Sequence, residues 1–220
     1  AGTQRGALPV RIPQFVAGVI ERIAFEARTA KRIDRRSGVS QRMPISVMES
    51  VVYNDERRTL HLGGTEIVPR ISDLYAALPA ITGKIELEYE GELVGAANIA
   101  RELIRRASDA VFRDRAGGVN VDDIILWFED GAALQVTDDV DAGTLARAFD
   151  VVPGLVALVH RVGLAPAKDD GFTSAACELV LESLVARRKI SRSDAGHYGR
   201  APQERRPRGG QQEFGGGLSA

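Results

Sequence analysis

The residues whose types and spacing could do chemistry run Arg35-Arg36-Ser37-Gly38-Val39-Ser40-Gln41-Arg42-Met43-Pro44. Ser37, Gly38 and Ser40 break the preceding pattern, and Ile45, Met48, Val51 and Val52 then return at helical spacing. This predicts a helix from near Ser40, capped by that hydroxyl, with Pro44 inside the first turn. A helix N-terminus already carries about half a positive charge, so a basic residue there is locally unfavourable. Arg42 nevertheless sits there, with Arg35 and Arg36 just upstream. One reading is an anion site, in which backbone N–H groups and a guanidinium face a phosphate. The other is a solvated basic surface whose long side chains point away.

The elements that must position these residues follow from periodicity. Residues 1–11 form a linker-like lead-in. Pro13 opens a helix with the stripe Phe15, Val16, Val19, Ile20, Ile23, Ala24 and Ala27. From Arg28 to Arg42 inclusive there are six basic residues and one acid, Asp34. The second helix extends to about Leu60 and stops before Gly63-Gly64. Pro69 opens a third, through Ile71, Leu74, Tyr75 and Leu78, which Pro79 kinks or breaks. Ile85 to Glu92 alternates with period two, predicting a short exposed strand or strap with Ile85, Leu87 and Tyr89 packed down. Its four glutamates are candidates to attract the basic loop. The longest helix is expected over 96–114, with Ala97, Ala100, Leu103, Ile104, Ala107 and Val111 on one face, ending at Gly117-Gly118.

Beyond it, Asn120 caps a short helix bearing Trp127 and Phe128, which read as core anchors. Two short helices over 138–149 and 153–162 precede a last one over 172–188. Eight basic residues against two acids occupy 187–208, followed by Gly-, Gln- and Ser-rich sequence. With little apolar surface to offset chain ordering, residues 196–220 are expected to be a disordered basic tail.

Composition narrows the function classes. The 220 residues are 44% apolar and 27% charged, with a net charge of −1, so no global field draws the chain to nucleic acid or membrane. A single cysteine, Cys177, excludes an internal disulfide and reads as a buried apolar residue. His61, His160 and His197 lack ligand spacing, so no metal site is expected. No apolar run approaches the roughly 20 residues needed to span a bilayer, which points to the cytoplasm. Gly83-Lys84 is not a phosphate-binding loop, because position 78 is Leu and position 85 is Ile. No nucleophile–base pair or carboxylate pair supports an independent hydrolase.

Gly38-Val39-Ser40-Gln41-Arg42 before an amphipathic helix resembles the sensor-2 motif of the MoxR and magnesium-chelatase branch of AAA+ ATPases. Lys84-Ile85-Glu86-Leu87-Glu88-Tyr89-Glu90-Gly91, followed by a helix, is similar to the segment that closes that family's lid. The proline after the arginine, at Pro44, departs from many relatives, which carry it before. The resemblance covers about residues 9 to 115. It implies a mainly α fold: an AAA+ lid-type helical bundle (12–116) with a short extended strand, then a second small helical region (118–195) and the tail. It implies that Arg42 contacts the nucleotide γ-phosphate, with Ser40, Gly38 and Arg36 as further phosphate-binding residues. The full enzyme would use ATP and Mg²⁺, form a hexameric ring and work with a von Willebrand A domain partner. The chain would then be the C-terminal part of a longer polypeptide, dependent on an upstream P-loop core and not catalytic alone. The alternative is a helical protein-interaction or nucleic-acid-binding module using the basic loop and tail.

Overall fold

The computed structural model describes residues 8–34 and 39–202. The fold is mainly helical, with ten helices and a small three-stranded sheet among those residues. Its centre is α6 (Ala96–Ala116), which packs on one side against α1 (Gln14–Thr29) and on the other against α10 (Asp170–Ala186). One apolar core runs from Phe15 on α1 through Leu103 and Phe112 on α6 to Leu179 and Leu184 on α10. The stripe expected on α1 is the buried one, residue for residue. On α6 Ala100, Leu103, Ile104, Ala107 and Val111 are buried as expected, whereas Ala97, placed on the same face, is exposed.

α2 (Met43–Leu62) lies against α1 and stops where the glycines are. Gly63 takes the left-handed conformation, φ 71°, and the Gly64 N–H returns to the Thr59 carbonyl at 2.8 Å, closing the last turn. The expected third helix is two short ones, α3 (Asp73–Ala76) and α4 (Leu78–Thr82), divided just before Pro79. The lead-in is tied down in its described part: Ile67 N–H donates to the Pro9 carbonyl and Arg11 N–H to the Ile67 carbonyl, each at 2.9 Å.

The period-two segment corrects the sequence reading. Only Leu87 makes a strand-type bridge, to Ile33, and α5 (Tyr89–Val94) begins where extended structure was expected to continue. Tyr89, expected to pack down, is 75% exposed. Backbone packing decides this. A Cβ on Gly91 would stand 2.3 Å from the Arg32 carbonyl oxygen, so the chain turns there against the preceding loop.

After α7 (Asp122–Glu129) come β1 (Leu134–Gln135), α8 (Ala142–Asp150), α9 (Leu155–Arg161) and α10, then β2 (Ile190–Arg192) and β3 (His197–Arg200). Asn120 does not occupy the N-cap of α7, which is Val121; its Oδ1 accepts from Asp122 N–H at 2.7 Å in a turn just before the helix, and Phe128 is fully buried. The sheet is antiparallel in the order β1-β3-β2, with Leu134 opposite Tyr198 and Ser191 opposite Gly199. β3 overturns the expectation that the tail begins at residue 196: Tyr198 is 1% exposed in the core. The tail beyond 202 lies outside the described residues. Cys177 is buried, as expected. Among the described residues no single helix is long and apolar enough to cross a membrane.

Candidate functional site

Of the four residues singled out for phosphate binding, Gly38 and Arg36 lie outside the described residues. Arg42 is exposed and stands at the N-cap position of α2, with no side-chain hydrogen bond or ion pair among the described residues. Ser40 does not cap the helix as expected. Its Oγ accepts from the Arg42 N–H at 3.3 Å, and its carbonyl accepts from Met43 N–H at 3.0 Å, so Ser40 to Met43 forms a tight turn before α2. Since Met43 N–H is used and Pro44 has none, the helix end is poor in free amides. An anion here would depend chiefly on the guanidinium.

The two motif segments are adjacent in space. Ser40 N–H donates to the Lys84 carbonyl at 3.4 Å, Asp34 N–H to the Glu86 carbonyl at 2.9 Å, and Glu88 N–H to the Arg32 carbonyl at 3.0 Å. The basic loop therefore meets the acidic strap through backbone pairing. The described ion pair of Arg32 goes instead to Glu102 on α6, at 3.2 Å.

A second assembly was not visible in the sequence. Asp73, at the start of α3, is wholly buried and accepts from Asn54 Nδ2 (2.6 Å), Arg58 Nη1 (2.5 Å) and Arg70 N–H (2.7 Å). Arg58 also pairs with Asp55 and with Asp138. Arg70 reaches Asp138 at 2.9 Å and Glu178 at 3.5 Å. Glu178, fully buried on α10, accepts from Ser72 N–H (2.6 Å) and Ser72 Oγ (3.2 Å), which caps α3 from another helix. Burial pushes the Glu178 carboxyl up, against the nearby Arg70 charge. Burial likewise raises Asp55 to about 6, with Arg58 opposing it. For Arg58, burial works against the charge, but Asp73 and Asp55 outweigh it and its pKa rises.

One turn along α10, Glu182 accepts from both Tyr75 and Tyr198 hydroxyls at 2.6 Å and pairs with Arg192 Nε at 3.0 Å. The Arg192 guanidinium lies 3.8 Å from the Tyr75 ring centroid. Burial, then the Glu182 charge, pushes both phenols well above their ordinary range. The signal for this assembly was two acids four residues apart in a helix whose other residues from Phe172 to Ala186 carry no charge.

Beside this network a cavity of about 450 Å³ opens between α2, the 64–70 loop and the N-terminal ends of α8 and α10. Among the described residues no group of His, Cys, Asp or Glu is placed to hold a metal ion. α10, which leads into the hairpin, is buried from Thr173 to Val185 and so cannot lie in a nucleic-acid groove. No protein-family model, curated protein or solved structure matches the chain.

Proposed function

We propose that the chain is the nucleotide-sensing lid and C-terminal helical part of a MoxR/magnesium-chelatase-like AAA+ ATPase, acting in the cytoplasm. Arg42 reads the γ-phosphate of ATP held with Mg²⁺ by an upstream P-loop core. Hydrolysis in a homo-oligomeric ring, a hexamer, then remodels a client protein, in concert with a partner that carries a von Willebrand A domain. One observation carries this reading. Arg42 is an uncommitted, exposed guanidinium on the turn that opens a 20-residue helix, held beside the Lys84–Glu88 strap. Ion pairs hold many of the chain's other arginines, among them Arg58, Arg70 and Arg192. A guanidinium with no ion pair among the described residues, at a helix end, suits a phosphate brought by another body, since none of those residues must release it first.

The test is hydrolysis by the intact polypeptide, with its core, against its Arg42→Ala form. A phosphate-sensing arginine removed from such a site is expected to lower turnover by 10³-fold or more, on the order seen for arginines that stabilise phosphoryl transfer. Unchanged kinetics would remove Arg42 from the site. The described chain alone is expected to show no magnesium-dependent turnover, and turnover by it would refute the division of labour proposed here.

A further inference from the structure

We propose that the cavity between α2, the 64–70 loop and the N-terminal ends of α8 and α10 is a binding site for a guanidinium group. The cavity is lined by five carboxylates, among them Asp55, Asp141 and Asp170, and by the guanidinium groups of Arg11, Arg58 and Arg70. Each of those arginines is already matched by at least two acids. Arg11 pairs with Glu66 and Asp169, Arg58 with Asp55, Asp73 and Asp138, and Arg70 with Asp138 and Glu178. Lys168 is a fourth cation on the lining, and the five carboxylates outnumber the four cations by one, so the surplus on this wall is a single acidic group.

The decisive atom is Asp55 Oδ2. Asp55 is 3% exposed and lines the cavity, and its Oδ1 accepts from Arg58 and from Thr59 Oγ1. Oδ2 is buried and makes no hydrogen bond of ordinary geometry, although the Val68 backbone N–H also favours this carboxylate. A buried carboxylate oxygen left without a donor costs free energy, which a ligand donor would recover. A second acceptor waits nearer the rim. Asp170 is exposed, has no partner among the described residues, and places Oδ2 about as close to Gly143 as Asp141 Oδ1 stands, 3.0 and 3.2 Å from where a Cβ would be.

The rest of the lining selects the shape of the cation. Leu62, Val68 and Val140 give apolar wall beside these acceptors. A guanidinium is planar, weakly hydrated and rich in donors, so it enters such a slot at lower desolvation cost than an ammonium. Its aliphatic stem would lie along the apolar side. The same chemistry reaches the site either as a free arginine-like molecule or as an arginine on another protein.

The experiment titrates the chain with N-acetyl-arginine methylamide while following the amide resonances of Gly64, Gly143 and Gly171. Saturable shifts at these three glycines are expected, with at least tenfold weaker binding of the citrulline and lysine analogues. Asp170→Asn, at an exposed position that leaves the fold intact, should weaken binding severalfold, and Asp55→Asn by tenfold or more. A peptide with one central arginine that binds tenfold tighter than the free analogue identifies a protein source; equal affinity identifies a small molecule. Equal binding of citrulline or lysine, shifts elsewhere, no saturation at millimolar ligand, or unchanged affinity in Asp170→Asn would overturn the assignment. Arg42→Ala should leave this titration unchanged, so its failure is separate from that of the ATPase reading.

Discussion

Replacing Asp73 by Ala should be among the most damaging single changes in this chain. Asp73 is wholly buried and accepts from Asn54, from Arg58 twice and from the Arg70 amide, which joins α2, α3 and the loop between them. Without it Arg58 keeps Asp55 and Asp138, but Asp138 is 47% exposed and holds the charge less strongly. Removing one partner of a buried ion pair costs about 3–5 kcal/mol, because the other charge stays buried and under-matched. Losing the Asn54 and Arg70 amide bonds pushes toward the upper half of that range, and the remaining acids pull it back. We take about 4 kcal/mol, against roughly 5–15 kcal/mol for a whole domain. In urea, with a slope of about 2 kcal/mol/M, the midpoint should fall by about 2 M. Asp73→Asn keeps the shape and one acceptor oxygen for Arg58, and should cost about half as much. A midpoint loss below about 0.5 M for Asp73→Ala would refute the reasoning, because water would then be replacing the carboxylate at little cost.

Tyr75→Phe and Tyr198→Phe each remove a hydroxyl that donates to Glu182. Each should cost about 1–3 kcal/mol in urea unfolding, and the double variant should depart from additivity because both bonds share one carboxylate. Additive losses would show that the two bonds act separately. Gly91→Ala drives a methyl toward the Arg32 carbonyl at 2.3 Å, so a loss of about 1–3 kcal/mol and altered amide shifts at 31–34 and 86–88 are expected. A neutral outcome would mean that the loop yields freely. Asp55 has its folded pKa raised from 3.8 to about 6, so protonation favours the fold. Its contribution is fully present only well below pH 3.8 and is lost as pH rises through 6. The stability difference between the wild type and Asp55→Asn should therefore change by roughly 2 kcal/mol between pH 4 and 7, with the wild type relatively stronger at the acid end. A pH-independent difference would exclude a raised Asp55.

What could be read from the sequence was whatever one helical turn can display. The α1 stripe and the buried face of α6 show themselves because 3.6-residue spacing is written in consecutive residues. The same local logic misled at Glu88 to Glu92, where alternating glutamates imitate a strand although Gly91 N–H and Glu92 N–H already turn back to the Glu88 carbonyl. It failed for β1, β2 and β3, which are two, three and four residues long and too short to establish a period. Tyr198 was hidden by its basic neighbours, since composition alone made that segment read as tail. The buried acids are a deeper case. Glu178 finds Ser72 across 106 positions and Glu182 finds Tyr75 across 107, so nothing near either residue announces a partner. Only the pairing of two acids in an otherwise uncharged stretch, Phe172 to Ala186, hints that partners must exist, because burial without them would be prohibitive. The same holds for the cavity beside them. Its acceptors come from α2, the 64–70 loop, α8 and α10, and a site assembled from four distant segments has no motif for a single sequence to carry. Arg42 is the converse: the residues that nominate it, from Gly38 to Arg42, are contiguous in the chain, so the proposal for it needs no distant segment.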